Sequence, residues 1–147
     1  MSHVKQQIRE YFATQLTGLT TTGSNVYASR VYPLGSGKLP ALLIYTHNES
    51  IEEQSFSSKR VQTRTLEVVV EGYIRAVSDF DDKVDDVCKE VEIALLDDPS
   101  LGGLAINTEL SSAQCDYSGD GEQPVATLSM TFAVQYRTET GQPETAI

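Results

Sequence analysis

Residues 125–137 alternate apolar and polar side chains more regularly than any other part of the chain. The apolar side chains occupy every second position: Ala126, Leu128, Met130, Phe132, Val134 and Tyr136. A repeat of two is the period of a β-strand, whose successive side chains point to opposite faces of a sheet. A strand with one apolar row needs a layer that covers this row and leaves the other row in solvent. The chain must therefore fold around a sheet that is covered on one face.

Two segments have the four-residue spacing of amphipathic helices, which would supply that covering layer. The stripe of the first segment consists of Val4, Ile8, Phe12 and Leu16, with Tyr11 and Leu19 beside it. The second helix is predicted to begin after an N-cap at Asp79 and to end near Leu96, before Asp97-Asp98-Pro99. Its apolar stripe consists of Val84, Val87, Cys88, Val91 and Leu95.

Further strands are predicted at residues 26–31, 41–46, 61–75 and 104–117, with a long polar loop at 47–60. The inward row of the last of these changes phase near Ser111-Ser112, which indicates a bulge. Its inward residues are Leu104, Ile106 and Leu110 before the change and Ala113, Cys115 and Tyr117 after it. The order α-β-β-β-α-β-β predicts a single α+β domain over residues 1–138, with a mostly antiparallel sheet and helices on one face. Residues 139–147 are predicted to be a flexible tail.

The composition excludes several classes of protein. Among 147 residues, 21 acids and 11 bases give a formal charge of −10, which opposes binding to nucleic acid and to anionic membranes. No apolar run approaches the ~20 residues of a membrane-spanning helix. The first 16 residues have no signal-peptide core, so we expect a soluble protein made in a cytoplasm. Cys88 and Cys115 are expected to be free thiols there.

No motif for catalysis, cofactor binding or metal binding is complete. Gly35-Ser36-Gly37-Lys38 lacks the first glycine and the Ser or Thr of a phosphate-binding loop. Two aspartate-rich segments that begin at Asp79 and Asp116 lack essential positions of a calcium loop. The two histidines, His3 and His47, have no companion at metal-ligand spacing. We therefore expect no enzymatic activity, no cofactor and no metal.

The charges are distributed unevenly along the chain. Residues 1–46 carry four bases and one acid, whereas residues 79–98 carry two bases and nine acids, and residues 99–147 carry one base and six acids. A solvated acidic helix face would explain this pattern. Another interpretation remains open, in which ends of opposite charge face each other in an assembly.

The chain resembles the tail terminator proteins of long-tailed bacteriophages over residues 4–138. After the N-terminal helix, the resemblance follows an ordered pattern: Arg30-Val31-Tyr32-Pro33, Leu39-Pro40-Ala41-Leu42-Leu43-Ile44-Tyr45, a polar loop, a strand at 64–75, Ala94-Leu95-Leu96-Asp97-Asp98-Pro99 and Phe132-Ala133-Val134-Gln135-Tyr136-Arg137. This resemblance implies a structural virion protein of the tail or neck, made in the host cytoplasm. Such a protein forms a homo-hexameric ring that caps the tail tube, ends tube growth and forms the joint to the head connector.

The partners implied are other copies of the chain, the tail tube protein and the head-tail connector, with DNA as cargo and no membrane. The candidate interface residues of the polar loop are His47, Asn48, Glu49, Ser50, Glu52, Glu53, Phe56, Lys59 and Arg60. The candidate channel-facing acids are Asp85, Asp86, Glu90 and Glu92. The alternatives are another neck protein, for head completion or head-tail joining, and a small ligand-binding or enzymatic α+β domain with its cleft under residues 47–60.

Overall fold

Two α-helices, one short 3-10 helix and five strands form within residues 1–28, 40–53, 60–75, 79–118 and 125–147, which the computed structural model describes. The elements are α1 (Val4–Leu16), β1 (Val26–Tyr27), β2 (Ala41–Glu53), β3 (Val61–Arg75), α2 (Phe80–Leu96), the 3-10 helix (Leu101–Gly103), β4 (Asn107–Ser118) and β5 (Val125–Glu139). This is the order predicted from the sequence.

The strands form one sheet in the spatial order β1-β2-β3-β5-β4. β1 runs parallel to β2, and the pairs β2·β3, β3·β5 and β4·β5 are antiparallel. The predicted α+β fold with a mostly antiparallel sheet is therefore confirmed.

The hydrophobic core lies between the two helices and one face of the sheet. All four predicted stripe residues of α1 are fully buried, and so is the alternating row of β5 from Ala126 to Tyr136, with exposures of 0–2%. Phe12 of α1 meets Phe132 of β5 edge to face, with ring centroids 5.7 Å apart. Because α1 packs over β1 and β2 and α2 packs over β3, β5 and β4, both helices cover the same face of the sheet.

The helices begin with different caps. The His3 side chain accepts a hydrogen bond from the Lys5 backbone N–H through Nδ1, at 3.0 Å, and so caps α1. Asp79 stands at the predicted N-cap position of α2, but its side chain makes no capping hydrogen bond. Asp81 and Asp82 in the first turn of α2 place negative charge where the helix dipole favours it.

The prediction of a loop over residues 47–60 is wrong for its first half. β2 continues to Glu53, and its residues from Glu49 to Glu53 pair with Leu66 to Gln62 of β3 after a bulge that follows Thr46. The apolar alternation that marks a strand is missing, because the inward position next to Leu66 is occupied by Glu49 rather than by an apolar side chain. Residues 54–59 lie outside the described residues, as do 29–31 of the predicted first strand.

The predicted bulge in β4 is confirmed, since the register with β5 shifts between Leu110 and Ser112. The predicted burial of Ala113, Cys115 and Tyr117 is wrong, because all residues from 111 to 117 are exposed. Ile106 is also exposed, at 43%. Ala113 and Cys115 pair with the buried Met130 and Leu128 and so share the helix-bearing face, but the helices leave this end of β4 uncovered.

The C-terminal residues, for which the sequence predicts a flexible tail, lie against α1 and β5. The Val4 N–H donates to the Pro143 carbonyl at 2.8 Å, and the Ile147 N–H donates to the Arg137 carbonyl at 2.9 Å. Gln7 adds a side-chain hydrogen bond to the Glu144 carbonyl at 2.9 Å. These contacts place Pro143 and Glu144 next to the N-terminus of α1 and Ile147 beside β5.

Candidate assembly surfaces

Most of the candidate interface residues on β2 and at the start of β3 are exposed. They are His47, Asn48, Ser50, Glu52, Glu53 and Arg60, whereas Phe56 and Lys59 lie outside the described residues. His47 Nδ1 is 3.1 Å from a carboxylate oxygen of Glu67, and both side chains are about half exposed. Arg60 and Glu53 approach to 4.0 Å across the hairpin. Loosely paired charges of this kind add little stability to the subunit and can be rearranged by a partner.

Glu49 differs from the other candidate interface residues, because its side chain is mostly buried and its carboxylate accepts hydrogen bonds within the subunit. Arg64 Nη1 donates to Glu49 Oε1 at 3.1 Å, and the Tyr136 hydroxyl donates to Glu49 Oε2. Burial, followed by the effect of Glu49, raises the pKa of Tyr136. This cluster was not predicted from the sequence. The signal for it is a charged residue, Arg64, in the otherwise apolar inward row of β3 with Leu66 and Val68.

The four candidate channel-facing acids lie on different sides of α2. The Glu90 carboxylate accepts hydrogen bonds from the backbone N–H of Thr21, at 2.8 Å, and from the Thr21 hydroxyl, and so joins α2 to the turn after α1. Asp85 and Asp86 are exposed, and Glu92 is half-buried. Burial, and then the nearby Glu92 and Asp85, raise the pKa of the Cys88 thiol, which places these two acids beside Cys88.

The face of the sheet opposite the helices carries a second set of acids and hydroxyl groups. The hydroxyls of Tyr45 and Tyr73 both donate to the Glu71 carboxylate, Tyr73 at 2.6 Å. Burial, followed by the Glu71 contact, raises the pKa of Tyr73 to about 12. The alternation of β3 places Glu71 and Tyr73 on the face opposite the helices. The contact between Glu71 and Tyr45 could not be predicted in this way, because it depends on the register between β2 and β3.

The described residues also include one depression and two free thiols. A shallow open depression on the same sheet face is lined by Thr65, Asn107, Glu109, Ala133 and Gln135. Within the described ranges, no three His, Cys, Asp or Glu side chains are grouped so that they could hold a metal ion. Cys88 and Cys115 are both free thiols. The exposed features of the described residues are a charged β2–β3 pair, an acidic helix α2 and the edge strand β4.

Among the described helices, none is long and apolar enough to cross a membrane. The chain is similar to a chain in the virion of a native gene transfer agent particle, with a TM-score of 0.46 and 14% sequence identity over 90% of this chain and 92% of that chain. No curated protein sequence matches the chain. The family model of phage minor tail protein U matches residues 3–136, so the chain belongs to this family and is a structural protein of the phage tail or neck.

Proposed function

We propose that the chain assembles into a homo-hexameric ring that caps the phage tail tube, ends tube growth and forms the joint to the head connector. Membership in the family of phage minor tail protein U supports a place in the tail. The finer assignment rests on the form of the subunit rather than on any reacting group.

The observation that carries this proposal is the difference between the two ends of the sheet. One end is the twelve-residue strand β4, and the other end is the two-residue strand β1 beside the long β2–β3 hairpin. A contact between two different surfaces is heterologous, and repeated heterologous contacts close into a ring when the rotation between subunits permits it. A subunit with two unlike exposed ends is suited to this type of assembly.

In the proposed ring, the tail tube protein contacts one flat side and the connector the other, and DNA passes through the central channel. Asp85, Asp86 and Glu92 are the channel-facing acids of this proposal, since Glu90 is engaged by Thr21 within the subunit. Acidic side chains repel the DNA backbone, whereas basic ones would retain it by releasing counterions.

The test is to measure the assembly state and the effect on tail tubes. Native mass spectrometry and negative-stain microscopy of the purified chain with tail tubes should show six-subunit rings with a central hole at tube ends. Tubes grown without the chain should exceed the normal length, and addition of the chain should restore it.

Two outcomes would contradict the proposal. A chain that stays monomeric in the presence of tubes, and is absent from their ends, would exclude the ring. A ring that binds filled heads but never tubes would assign the chain to head completion instead.

A further inference from the structure

We propose that His3 makes the contact between α1 and residues 143–147 sensitive to pH, so that a proton on its ring opens the start of α1 and releases the C-terminal residues. His3, residues 4–7 of α1 and residues 143–147 form what we call the clasp. The clasp lies within one subunit, so this inference does not depend on the proposed ring.

The start of α1 has two backbone N–H groups whose partners lie outside the helix. The first N–H groups of any helix have no carbonyl partner within it. The Val4 N–H donates to the Pro143 carbonyl at 2.8 Å, and the Lys5 N–H donates to His3 Nδ1 at 3.0 Å. The next two N–H groups both donate to the His3 carbonyl. His3 and Pro143 together therefore close the start of the helix.

The hydrogen bond from Lys5 requires a neutral His3 ring. A backbone N–H can only donate, so His3 Nδ1 must offer its lone pair, and the ring proton of this state is on Nε2. A protonated imidazole carries an N–H at both nitrogens and cannot accept. Its positive charge would also lie at the positive end of the helix dipole. A proton on the ring therefore removes the cap and adds a repulsion at the same place.

The surroundings of His3 oppose its protonation. His3 is half-buried, and burial is the main cause that lowers its pKa from the usual 6.5. Lys5 on α1 and Arg64 on β3 lower this pKa further, whereas Glu49 on β2 raises it. The Glu49 charge is already compensated by Arg64, at 3.1 Å, and by the Tyr136 hydroxyl of β5. A second positive charge would therefore meet Lys5 and Arg64 without an unused acid.

Residues 143–147 are held between α1 and the end of β5. On the side of α1, the carbonyls of Pro143 and Glu144 accept hydrogen bonds from residues 4–7. The side chain of Glu144 is exposed. On the side of β5, the Ile147 N–H donates to the Arg137 carbonyl at 2.9 Å. When the first turn of α1 opens, both contacts on the side of α1 are lost together, so the opening of the helix and the release of these residues are coupled.

The direction of the pH dependence follows from the lowered pKa. A histidine whose pKa is lower in the folded than in the unfolded chain binds its proton less readily when the chain is folded. The contribution of the clasp to the free energy of unfolding is therefore complete above pH 6.5 and is lost as the pH falls from 6.5 through the folded-state pKa. The clasp is closed at neutral pH and open in mild acid.

Amide hydrogen exchange measured by NMR tests the clasp in the purified chain. The readout is the protection factor, which corrects for the intrinsic pH dependence of exchange. Between pH 7.5 and pH 4.5, the protection factors of the Val4, Lys5 and Ile147 amides should fall together by about fivefold, which is the usual cost of a lost N-cap. Amides at the centre of β3 should keep their protection over the same range.

The variant His3→Asn separates the cap from the titration, because an asparagine side chain caps a helix without taking up a proton. In this variant, the three amides should keep their neutral-pH protection down to pH 4.5. His3→Ala should give low protection at both pH values, since the cap is missing throughout. His47→Asn, which replaces the other, exposed histidine, is the matched control and should respond to acid as the parent does.

Three outcomes would overturn the inference. An equal fall in protection in His3→Asn and in the parent would exclude His3 as the group that responds. Constant protection in the parent from pH 7.5 to pH 4.5 would exclude the pH sensitivity. A fall confined to the Lys5 amide, with Val4 and Ile147 unchanged, would exclude the release of residues 143–147. Each is measured on the free subunit and leaves the proposed function untouched.

Discussion

Glu49 and Arg64 form a 3.1 Å ion pair that is almost closed off from solvent, with 9% and 11% of their side chains exposed. Each charge lost most of its hydration when the chain folded, so each depends on the other for compensation. Glu49 also accepts a hydrogen bond from the Tyr136 hydroxyl, and Arg64 Nη2 donates to Gln62 Oε1. Arg64 Nε is buried without a partner. The pair fixes the outer half of β2 to β3 at the point where the apolar core ends.

Removal of one member of this pair should destabilise the subunit strongly. Glu49→Ala leaves the Arg64 charge buried and uncompensated, and we expect a loss of about 3–5 kcal/mol in the free energy of unfolding. Urea unfolding monitored by circular dichroism measures this loss.

The exposed Glu52 on the same strand provides the control, since Glu52→Ala should change the stability by no more than about 0.5 kcal/mol. Replacement of both members, Glu49→Leu with Arg64→Met, should recover most of the lost stability because no charge remains buried. Equal stability of Glu49→Ala and Glu52→Ala would show that the ion pair is solvated in solution.

Phe132 should be among the most sensitive core positions. It is fully buried, and its ring meets Phe12 at an interplanar angle of 87°. Phe132→Ala should lower the free energy of unfolding by about 3–5 kcal/mol, because it leaves a cavity and removes the aromatic contact between α1 and β5. The neighbouring Thr131 points to the other face, and Thr131→Ala should cost no more than about 1 kcal/mol. Similar thermal stability of the two variants would contradict the observed facing of β5.

Asp98 should give the subunit a component of stability that disappears in acid. The Ser100 hydroxyl donates to its carboxylate at 2.6 Å, and the Gly102 and Ser100 backbone N–H groups also donate to it. The hydroxyl contact first, and then the two backbone contacts, hold the pKa of Asp98 below its usual value of 3.8. A lowered pKa in the folded state means that the stabilisation is present above pH 3.8 and is lost as the pH falls through the folded-state pKa.

The measurement is the stability of Asp98→Asn and of the parent chain as a function of pH. We expect the parent to be more stable than Asp98→Asn at neutral pH. This difference in the free energy of unfolding should shrink as the pH falls below 3.8, the usual pKa of aspartate. Asp97→Asn, next to it at an exposed position, is the control and should leave the stability at neutral pH close to that of the parent. A difference that stays constant down to pH 2 would mean that the Asp98 charge has no part in holding the turn.

Where apolar side chains follow a regular period, the fold was predictable from sequence. The rows of β5 and β3 and the stripes of α1 and α2 all face the core as their spacing predicts, because burial of apolar surface determines which side faces inward. The outer half of β2 was not predictable in this way. Glu49 occupies an inward position there, and its charge is compensated by Arg64, which lies fifteen residues further along the chain.

The surfaces were harder to predict than the core. In the sequence, Glu90 does not differ from the other acids of α2. Its carboxylate nevertheless accepts hydrogen bonds from Thr21, 69 residues away, and these contacts form only because α2 packs against the turn after α1. In the same way, the inward phase of Ala113 and Cys115 is correct, but their exposure depends on how α2 packs over the sheet. Periodicity shows the direction of a side chain, and only tertiary packing shows what covers it.

The acids of α2 give the last prediction, which concerns the passage of DNA. If Asp85 and Asp86 face the channel, Asp85→Lys with Asp86→Lys should allow particles to assemble but slow or stop the ejection of DNA. The reversed charges would attract phosphates, and the effect should grow at low salt, since the screening length rises to about 30 Å at 0.01 M. Assembly is scored by electron microscopy and ejection by the release of DNA over time.

Glu90→Lys separates this effect from loss of folding. It should lower the thermal stability of the free subunit, because it removes the acceptor for the Thr21 N–H and hydroxyl, whereas Asp85→Lys with Asp86→Lys should leave the stability nearly unchanged. A salt-dependent ejection defect in a stable, assembled double variant can then arise only from the charge that DNA meets. Normal ejection from that variant at every salt concentration would assign the acids of α2 to the solvated exterior, where a charge far from zero keeps free subunits dispersed.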